Sequence, residues 1–345
     1  MAENTKKKGL DLPQTRGTFQ VRGKVIGTER DSFYTEKITK TGKPWRSVNF
    51  GVQFKPEATL SVGLNGMEKE NVYFTKRGEN GGRSETKTIP WKDRFNFAED
   101  GFSLIGVNVG VTKTKDAKGN DVNDKKHLTD YDACLEISNN LVDEKTVFVK
   151  GNIEYSSYQD GETSKHSTKF VPNQISLGKD IDFEAEDFKP NAKFTQTIVY
   201  TGIEKTEDGR FALSAKIVNY NSIEDVEFIV VDASLANTFR KQLKPYTSIN
   251  VWGDISVEKD VTEVESTDVW GQKNDMKRVN NPTKRELIIT GADPETIDTN
   301  TYSEAEIDKA IEMIKASKAA ENDFGKQTDG WGSGKLEDKD EEAGW

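Results

Sequence analysis

Short segments in which apolar and polar residues alternate with a period of two dominate this chain. GTFQVRGKVIGTE, starting at Gly17, is the first, PWRSVNFGVQF over 44–54 the second and NVYFTK over 71–76 the third. Such alternation predicts strands with one buried face. A helix-permissive stretch, TDYDACLEISNNLV, precedes two more strand-like segments, TVFVKGNIEYSSY and HSTKFVPNQISL. The same order returns in the second half. KFTQTIVYTGIE, GRFALSAKIVNY and DVEFIVVD come first, then the helix-like ASLANTFRKQL, then SINVWGDISVE and KRELIITGA. VFVKGNIEY and INVWGDISV are the most alike, with Gly151, Asn152 and Ile153 falling on Gly253, Asp254 and Ile255. Strand, strand, strand, helix, strand, strand, twice over, reads as an internal duplication.

Five strands with a helix between the third and fourth is the order of an OB-fold barrel. The predicted class is therefore mainly β: two OB-like five-stranded β-barrels in tandem, a short C-terminal helix and a disordered acidic tail. Two unrelated small barrels, or one large sandwich, are the competing readings. The glycine of each fourth strand fits a place where a small barrel coils too tightly for a side chain. The expected divisions are a disordered basic N-terminus (1–15), a first OB-like domain (16–180) with inserted loops at about 77–129, and a linker (181–192). A second OB-like domain (193–295), a helix (302–320) and a flexible acidic tail (321–345) follow. Ser303 and Glu306 form a capping-box pattern ahead of that helix. Ile307, Ile311 and Ile314 line one of its faces, which we expect to dock on the second barrel.

Composition narrows the function classes. The 345 residues suit about two domains. Hydrophobic content is 33%, low for a compact enzyme, so loops and tails should be substantial. The 49 Lys and Arg against 59 Asp and Glu give a net charge of -10, which argues against a uniformly basic nucleic-acid coat. The charge is uneven. Residues 320–345 hold eight acids and three lysines, half of the net charge, while Lys6, Lys7 and Lys8 cluster at the other end. A single cysteine, Cys134 in YDACLEI, excludes an internal disulfide or a cysteine cluster for zinc and reads as buried. MAENTKKKGLDL has no apolar core after its lysines, so no signal peptide is expected. No run approaches the ~18 apolar residues of a membrane span. We expect a soluble cytoplasmic protein without a membrane partner.

Catalytic constellations are missing from the sequence. There is no phosphate loop, no GxGxxG opening a helix, no HExxH and no nucleophile elbow. His127 in DKKHL and His166 in TSKHS lie in polar contexts without ligand spacing. DAKGNDVND has its glycine at the wrong position for a calcium loop, and no glutamate closes it. We expect no enzyme activity, no cofactor and no metal.

What remains is aromatic and basic residues interleaved on strands and loops. In the first half these are Arg22, Lys24, Tyr34, Lys43, Trp45, Arg46, Tyr73, Lys76, Trp91 and Arg94; in the second, Arg210 and Trp270 are the candidates. Unpaired bases stack on aromatic rings at ~1–3 kcal/mol each, whatever their identity, while phosphates need Lys and Arg. Period two sharpens the choice. Trp45, Ser47, Asn49 and Gly51 share one face of their strand, and Arg46, Val48, Phe50 and Val52 share the other, which reads as core. Trp45 and Tyr73 are thus either outward stacking platforms or partly buried barrel aromatics. Trp91, on the inserted loop, favours binding. Phe50, Phe74 and Phe228 read as core, and Trp252 beside its glycine as packing.

The chain ends DGWGSGKLEDKDEEAGW, an acidic string of Glu337, Asp338, Asp340, Glu341 and Glu342 with Trp345 at its tip. Such a string cannot bury enough apolar surface to fold, so its terminal Trp needs a receptor. Tandem barrels, aromatic-basic strands and this tail together resemble the single-stranded DNA-binding proteins of replication. The length and insertion look more like a bacteriophage version than the short bacterial one. The resemblance implies sequence-independent coating of single-stranded DNA in replication, recombination or repair, in the host cytoplasm if phage-encoded. It implies that Glu337–Glu342 and Trp345 recruit replication or recombination proteins and compete with DNA for the basic groove. The Cys/His zinc cluster of one phage branch is absent here. A phage structural or assembly protein and an RNA-binding or annealing protein are the alternatives.

Overall fold

The computed structural model of the chain describes residues 10–78, 82–160, 163–259, 262–264, 278–280 and 283–328. The first half runs β1 (Gly17–Ile26), β2 (Tyr34–Ile38), β3 (Pro44–Lys55), β4 (Ala58–Met67), β5 (Asn71–Lys76) and β6 (Glu85–Pro90). A 3₁₀ turn (Trp91–Asp93), β7 (Ser103–Leu104), β8 (Val107–Lys115), β9 (Asp121–Leu128), α1 (Asp130–Asn140), β10 (Thr146–Asp160) and β11 (Thr163–Leu177) complete it. The second half has β12 (Asn191–Lys205), β13 (Phe211–Val218), β14 (Ile223–Val230), α2 (Ala233–Gln242) and β15 (Thr247–Lys259). The short β16 (Thr262–Val264) and β17 (Arg278–Asn280), the long β18 (Thr283–Asp298) and α3 (Glu304–Thr328) follow. The protein is mainly β with an OB-like strand order. Among the described residues no helix is long and apolar enough to cross a membrane.

The second half shows the OB order in full. β12 pairs with β13, β13 with β14, β14 runs parallel to β18, β18 pairs with β15, and β15 returns to β12. α2 follows the third of these strands. Its N-cap Asp232 accepts from the amides of Ser234 and Leu235, and it buries Ala236 and Phe239. Alternation along β13 sends Phe211, Leu213, Ala215 and Ile217 inward.

The two halves meet strand to strand. β1 lies antiparallel to β12 with Phe19 directly opposite Phe194. Across the next ladder outward, Phe19 faces Gly151 on β10, and Phe194 faces Gly253 on β15. The register thus relates the halves by an approximate two-fold axis at the Phe19–Phe194 pair. A β-bulge accompanies each glycine, at Lys150/Gly151 and at Trp252/Gly253. A Cβ on Gly151 would overlap the carbonyl oxygen of Val171, and one on Gly253 that of Ile288. One hydrophobic core runs through both halves.

The first half departs from the simple repeat. In the second half one strand, β14, both pairs with its predecessor and runs parallel to the last strand. In the first half two strands share that work: β4 pairs with β3, and β8 runs parallel to β11 through Gln174↔Asn108 and its neighbours. The segment over 71–76, which alternation suggests as the third barrel strand, is β5. It lies at the centre of a separate three-stranded sheet between β6 and β7. β4 takes the barrel position instead. Its inward residues Leu60, Val62 and Leu64 carry the alternation, which Gly63 and Gly66 dilute.

The ends also differ from expectation. Residues 10–15, expected to be disordered, form a strap on the second half. Leu10 and Thr15 donate their amides to the carbonyls of Tyr220 and Val218. Leu10 and Leu12 pack against a cluster of Val199, Val218, Tyr302 and Ile307. The Tyr302 hydroxyl donates to the Pro13 carbonyl at 2.9 Å. Ser303 and Glu306 do cap α3, with the Glu306 amide donating to Ser303 Oγ. Ile307 is fully buried and Ile311 packs beside it, so α3 docks on the second half. The acidic tail residues Glu337, Asp338, Asp340, Glu341, Glu342 and Trp345 lie outside the described residues.

The glycine clash gives a direct test of the barrel geometry. Gly253→Ala should lose about 2 kcal/mol or more in urea unfolding, because an overpacked site must displace backbone. Gly202→Ala, where nothing lies within 4 Å of the new methyl, should be neutral within about 0.5 kcal/mol.

Candidate nucleic-acid interface

The candidate surface is built where the ends of three elements converge on the start of α1. Trp45 on β3 pairs with Met67 on β4, so both side chains stand on the same outer face. β2 lies along the other edge of β3, with Lys37 opposite Trp45 and its Nζ 4.6 Å from the indole centroid. A cation at that distance is held by the ring face. Arg46, one residue on, points to the opposite side. Its guanidinium lies 3.9 Å from the Tyr131 ring and pairs with Glu36 at 3.0 Å. Glu36 also accepts from the Tyr34 hydroxyl at 2.8 Å. That bond, then the one from Arg46, holds the Glu36 carboxyl below its usual range. Burial first, and then the bond to Glu36, push the Tyr34 phenol up to about 12.

Gly66 brings α1 against this hairpin. A Cβ there would overlap the backbone nitrogen of Tyr131, so only glycine lets the helix start seat on β4. Thr129 caps the helix, its Oγ1 accepting from the Asp132 amide. The inserted 3₁₀ turn then closes on the same spot. Trp91 meets the Tyr131 ring edge-on at 6.0 Å. Arg94 holds the turn in place. Nε donates to Asp132 Oδ2 at 2.7 Å, the second arm reaches Oδ1 at 3.0 Å, and a third donor meets the Trp91 carbonyl. The guanidinium also lies 4.2 Å over the Trp91 ring.

The result is a groove walled by Met67, Tyr73, Trp91 and Ile105, with Lys69 and Asp130 at its polar edge. Tyr73 is 50% exposed, Met67 41% and Ile105 56%. Trp45 and Trp91 are half-buried, Trp45 under the Lys37 ammonium and Trp91 under the Arg94 guanidinium. Exposed large apolar side chains gathered at one place are the informative kind of surface. Burial raises the Asp130 carboxyl above its usual range, and the nearby Lys69 opposes that shift.

The structure therefore brings Tyr73 and Trp91 together in one groove, leaves Trp45 next to its wall residue Met67 without lining it, and spreads the other candidates around them. Lys43 is exposed in the turn that Thr39 stabilises beside Trp45. Lys76, at the far end of β5, is exposed with its Nζ 5.9 Å from the Phe102 ring. Arg94 and Arg46 are already engaged by carboxylates. Arg22 and Lys24 stand on β1, turned toward residues 179–183: Arg22 donates to the Lys179 carbonyl, and Lys24 lies over Phe183 and pairs with Glu144. Arg210 belongs to the second half and is held by Asp208 and Glu286, both at 2.6 Å. Trp270 lies outside the described residues. Phe50, Phe74 and Phe228 are buried, whereas Trp252 is 43% exposed and covers Gly291. Sequence reasoning missed Met67, Lys37, Ile105 and Asp130. Met67 had a signal, the outward parity of β4; the others are local only in space. Among the described residues no group of His, Cys, Asp and Glu could hold a metal ion.

Comparison with known proteins adds three findings. The model of the family described as YorF matches residues 78–327. No curated protein matches the chain. Among solved structures, the wild-type single-stranded DNA-binding protein from Thermus aquaticus is similar at 11% identity and a TM-score of 0.36, covering 83% of this chain and 93% of that one. A deletion variant of the same Thermus aquaticus protein aligns at 12% identity and a TM-score of 0.36, covering 84% and 95%.

The Arg94–Asp132 pair should control the Trp91 turn. Asp132→Ala strands a guanidinium whose side chain is 14% exposed. Full burial would cost ~3–5 kcal/mol, so about 2 kcal/mol is expected here. Urea unfolding measures the loss, and a red shift of tryptophan emission should accompany it.

Proposed function

We propose that this chain, which belongs to the YorF family, binds single-stranded DNA by stacking unpaired bases in the groove of Tyr73 and Trp91. The observation that carries the reading is the meeting of two sequence-distant aromatics, Tyr73 and Trp91, with Met67 and Ile105 at one partly open apolar site that Lys69 borders. A duplex hides the faces of its bases, whereas a single strand offers them to such rings. Lys37, Lys43, Lys69 and Lys76 supply cations for the phosphates. Most of the binding is indifferent to sequence, because every base has a flat face.

The finer reading concerns the cell. Coating of exposed DNA during replication, recombination or repair, in the cytoplasm, follows from such a groove. A bacteriophage setting agrees with the long insertion and the two-barrel length. The acidic tail, with Trp345 at its tip, suits recruitment of replication or recombination proteins. It also suits competition with DNA for the lysines.

Titration with oligo-dT, followed by tryptophan fluorescence, tests the reading. Quenching is expected, with affinity falling steeply as salt rises, because phosphate contacts release counterions. Tyr73→Ala and Trp91→Ala should each weaken binding about tenfold, the loss of one stacked base. Unchanged affinity in both folded variants would refute the groove as the site. Removing residues 329–345 should tighten DNA binding, and equal or weaker affinity would exclude competition by the tail.

A further inference from the structure

We infer that the groove contains one base-reading position, Asp130, and that it favours cytosine over thymine. This rests on the DNA-binding reading above and adds a substrate preference to it.

Asp130 opens α1 and lines the same groove as Tyr73 and Trp91. It has no structural task of the kind its neighbour performs. Asp132 takes both arms of Arg94 and the Thr129 hydroxyl. Asp130 makes no side-chain hydrogen bond among the described residues, and Lys69 is the cation that faces it. A half-buried carboxylate at the edge of a groove, engaged by no protein donor among the described residues, is free to accept one from a ligand. The carboxylate is an acceptor only.

The ligand class follows from that polarity. Stacking on Tyr73 or Trp91 would bring the edge of one base toward Asp130. Cytosine presents its N4 amino group, a donor that a carboxylate accepts. Thymine presents the O4 carbonyl at the same place, and two acceptors repel. The two pyrimidines have similar ring faces, so stacking alone separates them little. Lys69, at the same polar edge, is placed for a phosphate rather than for the base. The Gly66 contact and the Trp91–Tyr131 packing fix the helix start, and with it the backbone that carries Asp130 beside the rings.

The test uses the full chain and two oligonucleotides of equal length, oligo-dC and oligo-dT, at pH 7.5. Affinities are compared for the unaltered protein, Asp130→Asn and Asp130→Ala, with circular dichroism confirming the fold of each. The unaltered protein should bind oligo-dC about tenfold more tightly than oligo-dT. In either variant that folds, the ratio should fall to within about twofold. An amide can turn its NH₂ to thymine, and alanine offers neither group. Equal affinities for the unaltered protein, or a cytosine preference that persists in the variants, would overturn the role of Asp130 while leaving DNA binding intact. Failure of both oligonucleotides to bind would overturn the DNA-binding reading itself, and this inference with it.

Discussion

The candidate surface depends on one close approach. The backbone of α1 at Tyr131 lies where a side chain on Gly66 would stand. That contact sets the helix start on the end of β4 and places Met67, Asp130 and Tyr131 side by side. Everything added afterwards is attached to it. Arg46 packs its guanidinium on the Tyr131 ring from below, and the inserted turn lays Trp91 against the ring edge. Arg94 then ties the turn to the helix through Asp132. The arginines nearest the aromatics are thus structural, held by carboxylates, while Lys43 and Lys76 stand exposed. This division suits the two residues. A planar guanidinium matches a carboxylate fork and a ring face, while a flexible ammonium follows a phosphate chain.

The larger frame explains why the candidate groove sits in the first half. Both halves share a register that centres on Phe19 and Phe194, and each places a glycine opposite that phenylalanine. In the second half β14 closes its barrel with a single strand. In the first half that strand is divided, and the chain between β4 and β8 leaves the barrel to build β5, β6, the Trp91 turn and β7. The excursion returns through β8 and β9 to α1, so it covers the same helix start that β4 supports. The groove is therefore formed between the repeat and its insertion. The second half has no counterpart to the excursion in this position. Its Trp252 lies over Gly291, and its Arg210 is paired with Asp208 and Glu286.

Much of this was legible in the sequence, for local reasons. Period-two alternation marked β1, β3 and β12–β14, since each has one face on a core. The Gly151/Gly253 correspondence reported the two coiled fourth strands. Parity assigned Phe50 inward, as found, whereas Trp45 is half-buried and Ser47 on the same face is buried. The misreadings had non-local causes. β4 carries two glycines, and one of them is explained only by a helix sixty-odd residues away, so its alternation looked weak. β5 alternates as well as a barrel strand does, but its partners are β6 and β7. Residues 10–15 are polar on average, yet Leu10 and Leu12 find an apolar patch that α3 completes. Asp130 was one acid among 59 until the fold put it in one groove with Tyr73 and Trp91.

Photocrosslinking bears most directly on the groove. Bound oligo-dT carrying 5-iodouracil would be irradiated on the full chain, and the adducts located by peptide mass spectrometry. Adducts on Tyr73 and Trp91, with Trp45 next in yield, are predicted. Adducts confined to the second half, or to the outer face of β1 and β12, would contradict a stacking groove at the start of α1.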